Sequence, residues 1–258
     1  MRSFYLNQKH SSMELTHIGI ELSSVSLSFG KKVLFDDLDF SLASGDKVTI
    51  VGENGCGKST FLRLLTGVDY QCSGSVDFGG KIGFLPQHFE DYDGEKPSIQ
   101  ILLESLNNTD IELFLTQSHY QFFSDEWIQE LNTLGGHEIF RQAHLIGLSN
   151  DLLQKPFKQL SGGEKTKTML CALSIMESDI ILLDEPTNHL DLQGIKWLED
   201  FLKKYEGGVI MVTHDRSLIN SVSNRISELS PHTKKFVHFK GGYKNYLEQV
   251  KNFFLIAY

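Results

Sequence analysis

The sequence predicts an α/β fold with a mostly parallel β-sheet at its centre. Short apolar runs alternate with stretches of helical periodicity, a pattern typical of a sheet whose two faces are covered by helices. The clearest buried strands are predicted at residues 47–51, 180–184 and 208–213. Helical patterns follow these strands at residues 58–65, 192–205 and 216–222.

Two further regions complete the predicted organisation. Residues 20–42 alternate apolar and polar side chains, which predicts an N-terminal antiparallel β subdomain. Between residues 87 and 176 helical periodicity replaces the strand patterns, so we expect an inserted helical lobe. The predicted divisions are an N-terminal extension (1–13) and one domain (14–242), with its core at 14–86 and 177–242 and its helical lobe at 87–176.

Composition excludes several classes of protein. The chain has 258 residues, of which 40% are hydrophobic, and only 5 prolines, which excludes a disordered or low-complexity chain. Its 3 cysteines are too few for a disulfide framework and lack metal-ligand spacing. No apolar run is long enough to span a membrane, and the first twelve residues lack the apolar centre of a secretory signal. We therefore expect a reduced, cytoplasmic protein.

The negative charge is concentrated in one segment. The net charge is −9, and residues 88–135 contain ten acidic side chains against one base, Lys96. Acidic residues repel phosphates, so we expect that this segment does not bind RNA directly. It is either a surface for a basic protein or a solvated face that keeps the molecule soluble.

A phosphate-binding loop is predicted directly after the first buried strand. Residues 52–59 read Gly-Glu-Asn-Gly-Cys-Gly-Lys-Ser and stand between a predicted strand and a predicted helix. Glycines let successive backbone N–H groups point at a phosphate chain, and the helix N-terminus adds its positive dipole end. Lys58 supplies a cation for the β- and γ-phosphates, and the Ser59 hydroxyl can ligate Mg²⁺. This pattern predicts nucleoside triphosphate binding; the alternative is a glycine-rich turn with an incidental Lys-Ser.

Candidate catalytic side chains follow the other two buried strands. Asp184 and Glu185 stand at the end of one strand, and His214 and Asp215 follow the next, where ligands bind in open α/β sheets. Asp184 is expected to hold Mg²⁺ through its water shell, Glu185 to orient the attacking water, and His214 to donate a hydrogen bond to the γ-phosphate. Taken alone, each pair is also compatible with ordinary polar residues at a strand end.

A second candidate anion site opens a long helix. Leu160-Ser161-Gly162-Gly163-Glu164 precedes a helix predicted at residues 165–176, with Ser161 as its N-cap. A second anion site is redundant beside a phosphate loop unless each serves a nucleotide held by another domain. The alternative is simply a capped helix.

Together these motifs resemble the ATP-binding-cassette (ABC) ATPases, a P-loop NTPase family, across residues 15–242. Gln87 in Gly-Phe-Leu-Pro-Gln matches the family's Q-loop position, and Phe29 matches the aromatic that stacks on adenine. For Phe29 the alternative is a core residue of the β subdomain. The resemblance implies ATP and Mg²⁺ as ligands. The implied catalytic residues are Glu185, His214 and Gln87; the metal ligands are Ser59, Gln87 and Asp184; the nucleotide-binding residues are Phe29, Gly52, Asn54, Gly55, Cys56, Gly57, Lys58, Ser59, Thr60, Ser161, Gly162 and Gly163.

Within that superfamily the chain looks most like the ABC-F group, which acts on ribosomes. The residues that carry this are the run Asp-Glu-Pro-Thr-Asn-His-Leu-Asp at 184–191, Glu164 followed by Lys-Thr-Lys, and Gly-Gly-Tyr-Lys-Asn-Tyr at 241–246. The resemblance implies ATP hydrolysis by two cassettes, with Asp191 contacting the opposing one. Members usually carry both cassettes in one chain, so we expect either the N-terminal half of a tandem protein or a homodimer. Residues 243–258 are then the start of the interdomain linker helix.

Two other functions stay open at this point. The chain could be the ATP-hydrolysing subunit of an ABC membrane transporter, because such subunits also lack membrane spans. It could also be a nucleotide-binding regulatory module with weak or no turnover.

Overall fold

The computed structural model describes residues 19–67, 70–89, 94–106, 123–134 and 136–256. The chain forms two compact units. The core unit contains the described residues up to Gln87, Ser178–Pro186 and those from Leu202 onward; the helical unit contains the described residues of His88–Glu177 and Thr187–Phe201. The predicted extension at residues 1–13 lies outside the described residues. Five of the ten acidic side chains of residues 88–135, at positions 90, 91, 93, 110 and 112, also lie outside them.

The described residues form nine strands and nine α-helices. The strands are β1 (Gly19–Phe29), β2 (Lys32–Ala43), β3 (Lys47–Val51), β4 (Cys72–Gly79), β5 (Ile82–Leu85), β6 (Ile180–Asp184), β7 (Gly208–Val212), β8 (Arg225–Leu229) and β9 (Phe236–Lys240). The helices are α1 (Lys58–Leu65), α2 (Ser98–Ser105), α3 (Asp125–Thr133), α4 (His137–Leu145), α5 (Asn150–Gln154), α6 (Gly162–Ile175), α7 (Leu192–Lys204), α8 (Arg216–Val222) and α9 (Tyr243–Ile256).

The core unit is built on a six-stranded sheet of order β5-β6-β7-β3-β8-β9. The five strands from β5 to β8 pair in parallel, and β9 pairs antiparallel with β8 at one edge. Every residue of β6 and β7 is buried, as expected of strands covered on both faces. The predicted α/β class with a mostly parallel sheet is therefore confirmed.

Strands near the N-terminal end of the described chain form a second, smaller sheet in the core unit. Its order is β2-β1-β4, and both pairings are antiparallel, which confirms the predicted β subdomain. Gly30 has a φ of 59° in the turn between β1 and β2, a conformation that a side chain disfavours. Strand β4 was not predicted, because its side chains are half-buried or exposed and so show no clear apolar periodicity.

The helical unit contains α2 to α6 in its described residues. Trp127 on α3 is only 1% exposed and stacks on Phe123, consistent with a side chain that packs the lobe. Helix α6 contacts both α2 and α4 and is buried along most of its length. No helix in the described parts of the chain combines the length and hydropathy needed to cross a bilayer.

Several predicted boundaries are wrong by one to three residues, and two of these differences have a clear local feature beside them. Helix α6 begins at Gly162 rather than at 165, because capping by Ser161 makes both glycines helical. Strand β7 ends at Val212 rather than at 213, where the Thr213 hydroxyl accepts a hydrogen bond from the Asp215 N–H at 3.1 Å in the turn that follows.

The C-terminal helix α9 is packed on the core unit. Tyr243, Tyr246 and Val250 lie against a small apolar cluster that includes Phe239. The Tyr246 hydroxyl donates to a Glu228 carboxylate oxygen at 3.1 Å, so the start of this helix is fixed by polar as well as apolar contacts. Its role as a linker stays a prediction.

The first turn after the phosphate loop rests on an aromatic cluster. Phe61 of α1 is fully buried and meets the rings of Phe35, Phe40 and Phe236 edge-on, with centroids 4.9 to 6.1 Å apart. Such pairs add to the free energy gained from burying the rings. The orientation of α1, and so of the loop before it, depends on this cluster.

We expect Phe61→Ala to lower the free energy of unfolding by about 3–5 kcal/mol, because it leaves a cavity that the surrounding rings cannot fill. Chemical denaturation measures this. Phe29→Ala is the matched control, because the Phe29 side chain is 50% exposed and its loss should change stability little. Equal losses of unfolding free energy in the two variants would contradict the conclusion that Phe61 fixes the orientation of α1.

Candidate nucleotide-binding site

The candidate residues of the core unit follow the carboxyl ends of four neighbouring strands. Gly52 follows β3, Gln87 stands two residues after β5, Glu185 follows β6, and Thr213-His214 follow β7. These four strands are adjacent and parallel, with Ile50 and Asp184 both paired to Val212. Their ends therefore meet at one edge of the sheet, which is where open α/β sheets bind ligands.

The phosphate loop has a backbone that only glycine adopts easily. Gly52 and Gly57 have φ values of 151° and 117°. A Cβ on Gly52 would lie 2.8 Å from the Leu229 carbonyl oxygen, and one on Gly57 would lie 3.1 Å from the Phe35 ring. Gly57 is the N-cap of α1 and provides no side-chain cap, so the first amides of this helix are left for an anion.

The Lys58 side chain is folded over the loop. Its Nζ donates to the carbonyl oxygens of Gly52 at 2.9 Å and Glu53 at 3.1 Å, and the residue is 9% exposed. Phosphate oxygens are stronger acceptors than these carbonyls, because they carry charge. A polyphosphate in the loop would therefore meet a cation already held there. The donor set of amides, ammonium and the Ser59 hydroxyl fits a phosphate chain.

Cys56 lies in the same loop as a buried thiol. It is 7% exposed, and burial raises the pKa of its thiol. Because a protonated thiol is a poor nucleophile, we assign no chemistry to the Cys56 sulfur. Asn54 and Gly55 are exposed in the turn, and Ser59 and Thr60 are half-buried in the first turn of α1.

Glu185 has an unusual backbone and an unusual carboxyl group. Its φ is 51°, a left-handed conformation that is costly for a residue with a side chain, and its N–H donates to the Val212 carbonyl at 2.8 Å. Burial raises the pKa of the Glu185 carboxyl, with a smaller contribution in the same direction from the charge of Asp184. The charges of His214 and Lys58 lower it in part. The loop and this carboxylate follow strands that end at the same edge of the sheet, so they can act on one ligand.

His214 lies beside that carboxylate. Its Nε2 is 3.4 Å from Glu185 Oε1, and its side chain is 68% exposed. Asp215, the next residue, does not reach the carboxylate; its Oδ1 caps α8 by accepting from the N–H groups of Ser217 and Leu218. The cap holds the backbone next to His214, and the exposed side of the imidazole can face a ligand.

The residues predicted to hold Mg²⁺ are oxygen donors at the same edge. Asp184 is 3% exposed, Ser59 is half-buried and Gln87 is exposed. Within the described residues no group of three or more His, Cys, Asp or Glu side chains could hold a metal. Hard oxygen donors supplemented by phosphate are the chemistry that Mg²⁺ prefers, so the set fits that ion rather than zinc.

Phe29 is a surface residue. Its ring is 50% exposed and meets the ring of Tyr70 edge-on at 5.7 Å between centroids. The alternative that Phe29 belongs to the core of the β subdomain is therefore wrong. Tyr70 was missed, because nothing in its sequence context connects it to β1, and only the fold brings the two rings together.

The second candidate anion site, in the helical unit, is a fully formed capping box. The Ser161 hydroxyl accepts from the Glu164 N–H at 3.4 Å, and the Ser161 N–H donates to the Glu164 carboxylate at 2.7 Å. That backbone hydrogen bond, followed by one from the Ser161 side chain, lowers the pKa of Glu164. The predicted N-cap is confirmed. The part of Glu164 in the capping box was not predicted, although the Ser-x-x-Glu spacing is its usual sequence signature.

The turn at residues 187–191 lies against this helix. A Cβ on Gly163 would be 2.3 Å from the His189 carbonyl oxygen, so no larger residue fits there without moving the turn. His189 has a φ of 65°, a left-handed conformation that gives this turn its shape.

Sequence comparisons identify the family. The family model described as ABC transporter matches residues 35–188. The chain is 33% identical to the energy-dependent translational throttle protein EttA of Mycobacterium tuberculosis, over 88% of this chain and 43% of that protein. It is 32% identical to ABC transporter F family member 2 of Arabidopsis thaliana, over 89% of this chain and 30% of that protein. The chain thus spans less than half the length of these curated relatives.

Solved structures agree at the level of the fold. An ATP binding subunit of an ABC transporter matches with a TM-score of 0.68 at 17% identity, over 90% of this chain and 93% of that chain. The archaeal ribosome recycling factor aABCE1, solved in complex with the ribosomal stalk protein aP1, matches with a TM-score of 0.63 at 21% identity, over 96% of this chain and 45% of that chain. With a family match over more than half of its length and curated relatives above 30% identity, the chain belongs to the ABC transporter family of ATP-binding proteins, and the resemblance to its ABC-F group is confirmed.

Proposed function

We propose that this chain is one cassette of an ABC-F-type ATPase that hydrolyses ATP and acts on the ribosome. The observation that carries the ATPase part is the half-buried Glu185 carboxyl, placed beside His214 and influenced by the Lys58 ammonium of the phosphate loop. A carboxylate in that position can orient and polarise a water for attack on a γ-phosphate.

The residues of the site divide the work. The loop amides and the Lys58 ammonium bind the phosphates, and Phe29 offers an exposed aromatic face to the base. Ser59, Asp184 and Gln87 would hold Mg²⁺, which neutralises phosphate charge when bound. Glu185 orients the water, and His214 donates to the γ-phosphate as negative charge develops on it.

Two cassettes are needed to complete the site. The N–H groups of Gly162 and Gly163 open α6 in the helical unit, and Ser161 caps only the Glu164 N–H. These amides suit a γ-phosphate presented by the phosphate loop of an opposing cassette. Closure around ATP would exclude water and strengthen each charged contact, and hydrolysis would release it. The second cassette is either further along the natural chain or a second copy.

The ribosomal part of the proposal rests on relatives. EttA is named as a translational throttle, and the residues that mark the ABC-F group, from Thr187 to Asp191 and at Glu164, have structural roles in the helical unit. The one base of the acidic segment, Lys96, pairs with Glu104 at 2.7 Å, so a protein surface suits this segment better than an RNA backbone.

Lys58→Ala should weaken ATP binding by about tenfold or more, because it removes the loop's only ammonium, whereas Glu185→Gln should leave binding within about twofold and abolish most hydrolysis. Equilibrium titration with a fluorescent ATP analogue and phosphate release measure the two effects. Arg63→Ala, on the exposed face of α1, is the matched control and should change neither ATP binding nor hydrolysis.

A Glu185→Gln protein that hydrolyses ATP at the parent rate would show that Glu185 does not activate water. A parent with tight ATP binding and no turnover would favour the regulatory module.

The rate of hydrolysis should fall in mild acid. Glu185 acts as a base only when ionised, and burial raises the pKa of its carboxyl above the ordinary 4.5. The acidic limb of the kcat profile should therefore have its midpoint above pH 4.5, with nucleotide affinity and the folded state measured at each pH. A midpoint at or below that value would contradict the raised pKa.

The Glu185→Gln form of the full natural protein should sediment with ribosomes in the presence of ATP and not in its absence, because the closed two-cassette state persists without hydrolysis. The double variant Lys58→Ala/Glu185→Gln is the control that cannot hold the nucleotide. Purification of the ATP-loaded protein with an integral membrane protein and without ribosomes would favour the transporter subunit instead.

A further inference from the structure

An ion pair between a largely buried lysine and a more exposed aspartate lies in the helical unit. The Lys167 Nζ on α6 is 2.8 Å from Asp191 Oδ2, and the Lys167 side chain is only 11% exposed. An ammonium removed from water to this extent is costly unless it is paired. The buried position of the Lys167 ammonium therefore makes Asp191 its specific partner, although the Asp191 side chain itself is 59% exposed.

Both carboxylate oxygens of Asp191 are used within the chain. Oδ2 accepts from Lys167, and Oδ1 accepts from the Gly194 N–H at 2.8 Å in the first turn of α7. The hydrogen bond from Lys167, followed by that from Gly194, lowers the pKa of Asp191. Asp191 thus has a role inside its own cassette, and its contact with the opposing cassette stays a prediction.

The site for the ammonium is enclosed by two glycines. A Cβ on Gly147 would lie 3.2 Å from the Lys167 Nζ, and one on Gly194 would lie 3.4 Å from its Cε. The lysine side chain is therefore fitted between the end of α4 and the start of α7, and its direction is fixed by packing as well as by charge.

The ion pair is the second of two attachments between α6 and the turn at 187–191. The first is the close approach of Gly163 to the His189 carbonyl. Gly163 and Lys167 are four residues apart, so they lie on the same face of the helix. The turn consequently runs along the first two turns of α6, held by backbone packing at one end and by the ion pair at the other.

We infer that Lys167 is a positioning residue: its ion pair with Asp191 fixes the 187–191 turn against the start of α6, so that the turn and the amides of Gly162 and Gly163 form one rigid surface for the second cassette. The inference rests on the proposed two-cassette ATPase. Hydrolysis depends on how accurately that surface meets the γ-phosphate, and small displacements of positioning groups cost large factors in rate. Nucleotide binding by the phosphate loop does not use this surface.

A double-mutant cycle tests this. Lys167→Met removes the cation, and Asp191→Asn removes the anion while an amide oxygen can still accept from the Gly194 N–H. Each single variant should lower kcat at saturating ATP by about tenfold or more and leave ATP affinity within about twofold. The double variant should be no slower than the worse single variant, because both changes break one interaction. Thermal unfolding of all variants is followed in parallel.

The matched control is Lys196→Met, which breaks an exposed Lys–Asp pair on α7, Lys196 with Asp200 at 3.0 Å, and should leave kcat unchanged. Variants that keep the parent kcat, that lose ATP affinity in proportion to kcat, or whose effects multiply in the double variant would each overturn the role given to Lys167. If the parent hydrolyses ATP, such a result counts against the inference alone. A parent without hydrolysis overturns the proposed function and this inference together.

Discussion

The parallel register of the central strands is the constraint on which the site depends. Because Ile50 and Asp184 both pair with Val212, the strands β3, β6 and β7 end at one level of the sheet. The phosphate loop, the carboxylates and the His214 turn leave the sheet from that level. A shift of one residue in any pairing would reverse which side chains point to each face and would separate these groups. The buried apolar side chains of β6 and β7 thus specify the site as well as the core.

The site stores unfavourable energy at Glu185. The residue is in a left-handed conformation and its side chain is only 12% exposed, and each of these is unfavourable in isolation. The Val212 carbonyl fixes the backbone, and the charges of His214 and Lys58 offset part of the desolvation. What results is a carboxylate whose pKa lies above the usual range and whose position is set by β6 and β7. Those are the properties of a group prepared to act on water.

The sequence was most informative where local chemistry decides the structure. Apolar runs between helical patterns were enough to place β3, β6 and β7, and glycine spacing was enough to place the phosphate loop. The start of α6 was wrong because two glycines are poor helix formers and only the capping box makes them helical. Contacts between distant residues were beyond sequence patterns: Tyr70 meets Phe29, and Lys167 meets Asp191 across 24 positions, only because the fold brings their elements together.

Each unit contains one helix that begins among the glycines of the proposed site, α1 in the core unit and α6 in the helical unit. Gly57 gives α1 no side-chain cap, whereas Ser161 and Glu164 cap α6 and also hold its first turn in shape. In the proposed two-cassette assembly this difference has a physical reason. The phosphate loop would surround its own ligand, with Lys58 already held over the loop. The α6 amides would instead meet a phosphate held by the other cassette, and a preorganised turn costs less on association than one that orders on contact. The Gly163–His189 contact and the Lys167–Asp191 pair would provide that order in advance.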